Sequence, residues 1–176
     1  MCRNVRRHDA RCALKEHRLT VIRVVLTILS AAAVGFIFYN SMKDAGDSAS
    51  RSHGLREALN SVLRWLGIGW ELSEYFVRKA AHFVEFFVLG GLLSATLYAY
   101  VPRIRVMLLA LPLSVAVAVC DELIQTGSPG RSCQLSDVLL DSSAALTAVM
   151  IAVLILYLRT RRKGKDISKT EVNRDE

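Results

Sequence analysis

Four apolar runs separated by charged stretches constrain this chain more than any other feature. They cover residues 19–39, 80–100, 106–120 and 138–158. Three of them are 21 residues long, enough for a helix to cross a hydrocarbon core about 30 Å thick at about 1.5 Å per residue. The third has 15 uncharged residues, or roughly 22 Å of helix. To cross fully it must draw Asp121 and Glu122 to the membrane boundary, so its span is placed at 104–124. Pro112 predicts a kink there. The chain is 52% hydrophobic and 22% charged, and its charges are segregated between the runs, as in a membrane protein. The fold class expected is an all-α membrane protein with four transmembrane helices. One membrane domain covers 19–158, between a basic arm at 1–18 and a basic tail at 159–176. The first run has the basic flank and small residues of a signal peptide. It continues through Phe36, Ile37, Phe38 and Tyr39, which favours an uncleaved anchor.

Lysine and arginine set the orientation. The arm, the 101–105 loop and the tail hold fifteen, against seven in 40–79 and 121–137. The positive-inside rule then places both termini in the cytoplasm and the 40–78 loop outside. Within that loop Leu55, Leu59, Val62, Leu63 and Leu66 share one helical face, flanked by Trp65 and Trp70. This predicts an amphipathic helix, either lying on the outer leaflet or packed on the bundle top. Cys2, Cys12, Cys120 and Cys133 form no C-x-x-C spacing, so zinc-ribbon or thioredoxin-like chemistry is not expected. A Cys120–Cys133 disulfide would require both to face an oxidising compartment.

Three polar groups are expected at the outer end. "RKAAHFVEFF" carries Lys79 and His82 on one helical face, with Glu85 a turn deeper. "DELIQ" stacks Asp121 and Gln125, with Glu122 adjacent. "SPGRSCQLSDVLLD" supplies a Pro129–Gly130 turn, then Arg131, then Asp137 and Asp141 one helical turn apart. Each residue also has a plainer reading. Asp137 can cap the last helix, Arg131 can be a loop charge, and Lys79 can snorkel. His82 and Glu85 can bridge helices. Taken together, Glu85, Asp121, Glu122 and Asp141 strain the plain account, because a central charge costs about 2.5–3.5 kcal/mol on insertion scales.

In this order the three motifs resemble the VanZ-like family of small bacterial membrane proteins. The shared pattern is K-x-x-H-F-x-E, then D-E-x-x-Q, a P-G-R turn, and D-V-x-x-D opening the last helix. The resemblance covers 78–145 well and implies an envelope role, with the namesake linked to low-level resistance to teicoplanin, a lipid-tailed glycopeptide. It matches Lys79, His82, Glu85, Asp121, Glu122, Gln125, Pro129, Gly130, Arg131, Asp137 and Asp141 to the family's motifs. Phe86 stands where Tyr is frequent. Ser143-Ala144 replaces a small residue followed by Gly, which would loosen packing of the last helix.

The expected function is an outward-facing charged site that binds or excludes an amphiphile, either a lipid headgroup or a lipoglycopeptide, with Lys79 and Arg131 on its anionic groups. One alternative is a membrane enzyme on an envelope lipid or cell-wall precursor. Its candidate residues are His82, Glu85, Asp121, Glu122 and Asp141, but no nucleophile motif accompanies them. A proton-coupled transporter is a minor alternative. No cofactor is expected. A divalent cation on His82, Asp121, Glu122 and Asp141 is open, without a ligand spacing to specify it. The bilayer is the expected partner. Nucleic-acid binding is not expected, and the oligomeric state is open.

Overall fold

The computed structural model describes residues 2–43, 45–127 and 134–172, with side chains at 13–43, 53–127 and 134–162. It is all-helical over those residues: α1 (Cys2–Ser41), α2 (Ala45–Trp65), α3 (Glu74–Tyr100), α4 (Ile104–Met107), α5 (Ala110–Thr126) and α6 (Leu135–Val172). Four helical stretches are long and apolar enough to cross a membrane: Ala13–Ser41, Glu74–Tyr100, Ile104–Thr126 and Leu135–Arg162.

The third stretch is broken into α4 and α5 at Leu108 and Leu109. Pro112, in the first turn of α5, accounts for the break. It has no N–H to give the Leu108 carbonyl, which instead accepts from Leu111 N at 3.2 Å in a tighter turn.

α3 is the central helix, packed on α1, α2, α4, α5 and α6. Its closest approach is to α6. A Cβ placed on Gly90 would lie 2.8 Å from the Ala145 carbonyl oxygen and 2.9 Å from its Cα. Ala144 and Ala145 are fully buried, so small residues on α6 face this crossing. An apolar cluster of Ile37, Phe86, Leu89, Ala118 and Ala144 fills the centre of the bundle. Outside it, large apolar side chains such as Ile28, Val84, Leu113, Leu139 and Met150 stand exposed along the helices. That is the surface a lipid-embedded bundle presents.

Arg23, the one charge inside the first apolar run, is satisfied at the far end of α3. Its Nε donates to the Ala99 carbonyl at 2.9 Å, and its guanidinium lies 5.5 Å from the Tyr100 ring centroid. A cation on the last-turn carbonyls also complements the helix dipole.

α2 presents Leu55, Leu59 and Val62 to the surroundings, Leu66 just beyond its end is exposed as well, and Trp65 and Trp70 are each 84% exposed. Asn60, on its other side, is buried. The helix thus packs against α3 on one side and leaves its apolar stripe exposed on the other. Asn60 is the clasp: its Oδ1 accepts Leu72 N at 2.8 Å and its Nδ2 reaches Leu72 O at 3.5 Å. Just beyond, Ser73 caps α3, its Oγ accepting Phe76 N at 3.2 Å. Asn60→Ala should cost about 1–3 kcal/mol by leaving the Leu72 amide without its acceptor. Thermal unfolding in detergent reads that loss, and faster amide exchange over 66–73 should accompany it.

Candidate functional site

The polar motifs converge where the C-termini of α1 and α5 meet the N-termini of α3 and α6. Asp121, Glu122 and Gln125 are all buried on α5, and Asp141 is buried on α6. Their helical spacing explains this. Asp121 and Gln125 are one turn apart on the face that Ala118 already turns inward.

Asp121 is the most constrained. Ser41 Oγ donates to its Oδ1, and Gln125 Nε2 donates to its Oδ2 at 2.8 Å. On α3, Glu85 Oε1 accepts from Asn40 Nδ2 at 3.0 Å. Its Oε2 is buried without a hydrogen-bond partner among the described residues, and so is Asp141 Oδ1. One ligand-type atom each from His82, Asp121 and Asp141 lie within 4.8 Å of one another. Three helices therefore bring an imidazole and two carboxylates to one point.

Lys79 Nζ forms an ion pair with Asp137 Oδ1, the two side chains being 14% and 25% exposed. Asp137 is thus not the cap of the last helix. It lies in the first turn of α6, where its carboxylate serves the α3–α6 pair, also receives Ser136 Oγ at 3.1 Å, and suits the helix dipole. Glu122 reaches across as well: its Oε1 accepts from Gln134 N, the residue just before α6. It ties the end of α5 to the start of α6.

Beside the ion pair, α3 and α6 border a groove of about 550 Å³. Tyr75, Phe76, Ala80, Phe83, Val84 and Leu140 make its apolar walls, and Lys79, Ser136 and Asp137 its polar edge. The Lys79 ammonium lies 5.4 Å from the Tyr75 ring centroid. Phe86, one turn beyond His82, is fully buried in the apolar cluster and forms a floor beneath the polar residues.

Of the residues expected from sequence, the structure groups Lys79 with Asp137, and His82 with Asp121 and Asp141. Gln125 supports Asp121, Glu122 binds backbone, and Glu85 lies with Asn40. Arg131, the Pro129–Gly130 turn and Cys133 fall outside the described residues, and Cys120 is exposed on α5. Sequence reasoning missed Asn40 and Ser41. The available signal was "YNSMK", polar residues closing the first apolar run, which reads equally as a membrane boundary.

No curated protein and no solved structure matches the chain. A family model described as VanZ/LLP1 matches residues 26–156, a range that reaches into all four membrane-length helices and holds every polar residue of the site. On that match, the chain belongs to the VanZ/LLP1 family of membrane proteins.

Proposed function

We propose that this protein binds the polar head of an amphiphile at the polar end of the bundle, with the acyl tail in the α3–α6 groove. The groove carries the reading. It is apolar along its walls, opens to where lipid would lie, and has an ammonium at its edge. That pairing suits a headgroup bearing phosphate or carboxylate above a hydrocarbon chain. The lysine and arginine count supports an outward-facing site with both termini cytoplasmic. The resemblance drawn from the motifs extends this to low-level resistance against a lipid-tailed glycopeptide, by binding or excluding it in the bacterial plasma membrane.

Affinity for phosphatidylglycerol and for teicoplanin, measured by native mass spectrometry or thermophoresis with the full chain in nanodiscs, tests the reading. Lys79→Gln should weaken binding about tenfold, the equivalent of about 1.4 kcal/mol. Val84→Trp should weaken it by filling the groove without touching the ion pair. Equal affinity in both variants and the parent would remove the groove from the account. A stronger effect on one ligand distinguishes a lipid site from an antibiotic site. Orientation is tested separately. Ser61→Cys on exposed α2, in a background without the native cysteines, should react with an impermeant maleimide on intact cells.

A second reading, a membrane enzyme acting on an envelope lipid, draws on one observation: His82 beside two buried carboxylates is a grouping suited to general acid–base work. A new lipid species in membranes containing the protein, lost in His82→Gln, would favour it. Transport is less well supported. The apolar cluster of Ile37, Phe86, Leu89, Ala118 and Ala144 lies beyond the polar end, with no ionisable member to relay a proton.

A further inference from the structure

An anionic headgroup meets an electrostatic obstacle at this site. Glu85, Asp121, Glu122, Asp137 and Asp141 converge there, and the Lys79 ammonium is already paired with Asp137. Asp121 and Asp141 are 1% and 3% exposed, and their carboxylates lie within 4.8 Å of each other and of an imidazole nitrogen of His82. Two carboxylates this deep and this close repel one another unless something neutralises them. Asp141 also keeps Oδ1 buried with no hydrogen-bond partner among the described residues, although its carboxylate points into the cluster.

We propose that His82, Asp121 and Asp141 bind a divalent transition-metal ion, such as Zn2+ or Mn2+. Ligands each about 2.1 Å from a shared ion stand roughly 3–4 Å apart, so a 4.8 Å grouping closes onto an ion by small side-chain rotations. One imidazole with two carboxylates favours a transition metal over Mg2+ or Ca2+, which take oxygen ligands. The three ligands come from α3, α5 and α6, so the bundle sets their geometry. Asp121 has the support expected of a ligating carboxylate, since Ser41 and Gln125 each donate to one of its oxygens and fix its orientation. Three protein ligands leave positions open for water or a headgroup oxygen. Lys79 and Asp137, at the edge of the groove, lie about one helical turn from His82 and Asp141 along the same helices. The ion would thus present positive charge where the carboxylates alone repel an anion. The inference deepens the amphiphile reading of the same site, but its test uses no amphiphile.

The full chain, purified in detergent and stripped with a chelator, is titrated with Mn2+ by electron paramagnetic resonance and with Zn2+ by calorimetry. The parent should take up one ion per chain. His82→Gln and Asp141→Asn should each weaken binding by about 100-fold or more. Gln125→Ala, a change to a positioning residue, should weaken it by about 10–100-fold. Glu57→Gln, a carboxylate change on exposed α2, should leave it unchanged. If Asp141→Asn fails to elute as folded protein, His82→Gln decides, together with imidazole-nitrogen coupling in the parent's Mn2+ spectrum. Absence of saturable uptake by the folded parent, or uptake unaffected in both ligand variants, overturns the proposal. Amphiphile binding measured in chelator stands or falls independently.

Discussion

Gly90→Leu should prevent the bundle from assembling, while a substitution at the very next residue should be harmless. A Cβ at Gly90 would sit 2.8–2.9 Å from backbone atoms of Ala145, which cannot swing aside as a side-chain tip can. α3 and α6 would have to separate, and Phe86, Leu89, Ala144 and Val149 around that contact are all fully buried. Overpacking of this kind costs about 1–3 kcal/mol for a small addition, so Gly90→Ala should lower the melting temperature and Gly90→Leu should lose monodisperse protein altogether. A Cβ on Gly91 would meet nothing within 4 Å. Gly91→Ala should therefore be neutral or stabilise by up to about 1 kcal/mol through helix propensity. Size-exclusion profiles and thermal melts of the three variants read the difference. If Gly90→Leu folds like the parent, the close α3–α6 crossing is wrong, and with it the meeting of His82 and Asp141.

Asp141→Asn should shift stability in opposite directions with and without metal. In chelator it removes one of two mutually repelling buried carboxylates, and should raise stability by about 1–2 kcal/mol, a gain of the size seen when a functional residue is relieved of strain. With Zn2+ or Mn2+ present the order reverses. A bound ion stabilises the parent by about 2.7 kcal/mol at a hundred times its Kd, and the variant lacks that gain. Melting curves of both proteins, with chelator and with metal, should cross. Parallel curves would mean that Asp141 is held by protein contacts alone.

The parts of this architecture that depend on local pattern were legible in the sequence. Apolar run length gave the four membrane helices, and Pro112 marked the break that divides α4 from α5. The four-residue spacing of Asp121 and Gln125 put them on one face, and the structure buries both. What depends on helix rotation and long-range contact was not legible. Asn40 and Ser41 look like an ordinary end to a span until α1 is turned to bring them against Glu85 and Asp121. Asp137 reads as a cap because its partner, Lys79, is 58 residues away in sequence. Glu122 stands out in sequence as a membrane-boundary carboxylate, but its bond to Gln134 N across α5 and α6 was not legible there. The exposed stripe of α2 was legible, but the buried Asn60 on its opposite side was not, because a polar residue between apolar ones gives no sign of a backbone partner 12 residues on.

If the polar end and the α3–α6 groove form one binding site for an amphiphile, a lipid probe should find it. The most direct measurement is photocrosslinking of the full chain with phosphatidylglycerol carrying a diazirine near the top of its acyl chain, mapped by mass spectrometry with Mn2+ present. Adducts should concentrate on Phe83, Val84 and Leu140 and be depleted in Lys79→Gln. Adducts spread evenly over lipid-facing residues such as Ile28, Leu113 and Met150, and unaltered by Lys79→Gln, would contradict it.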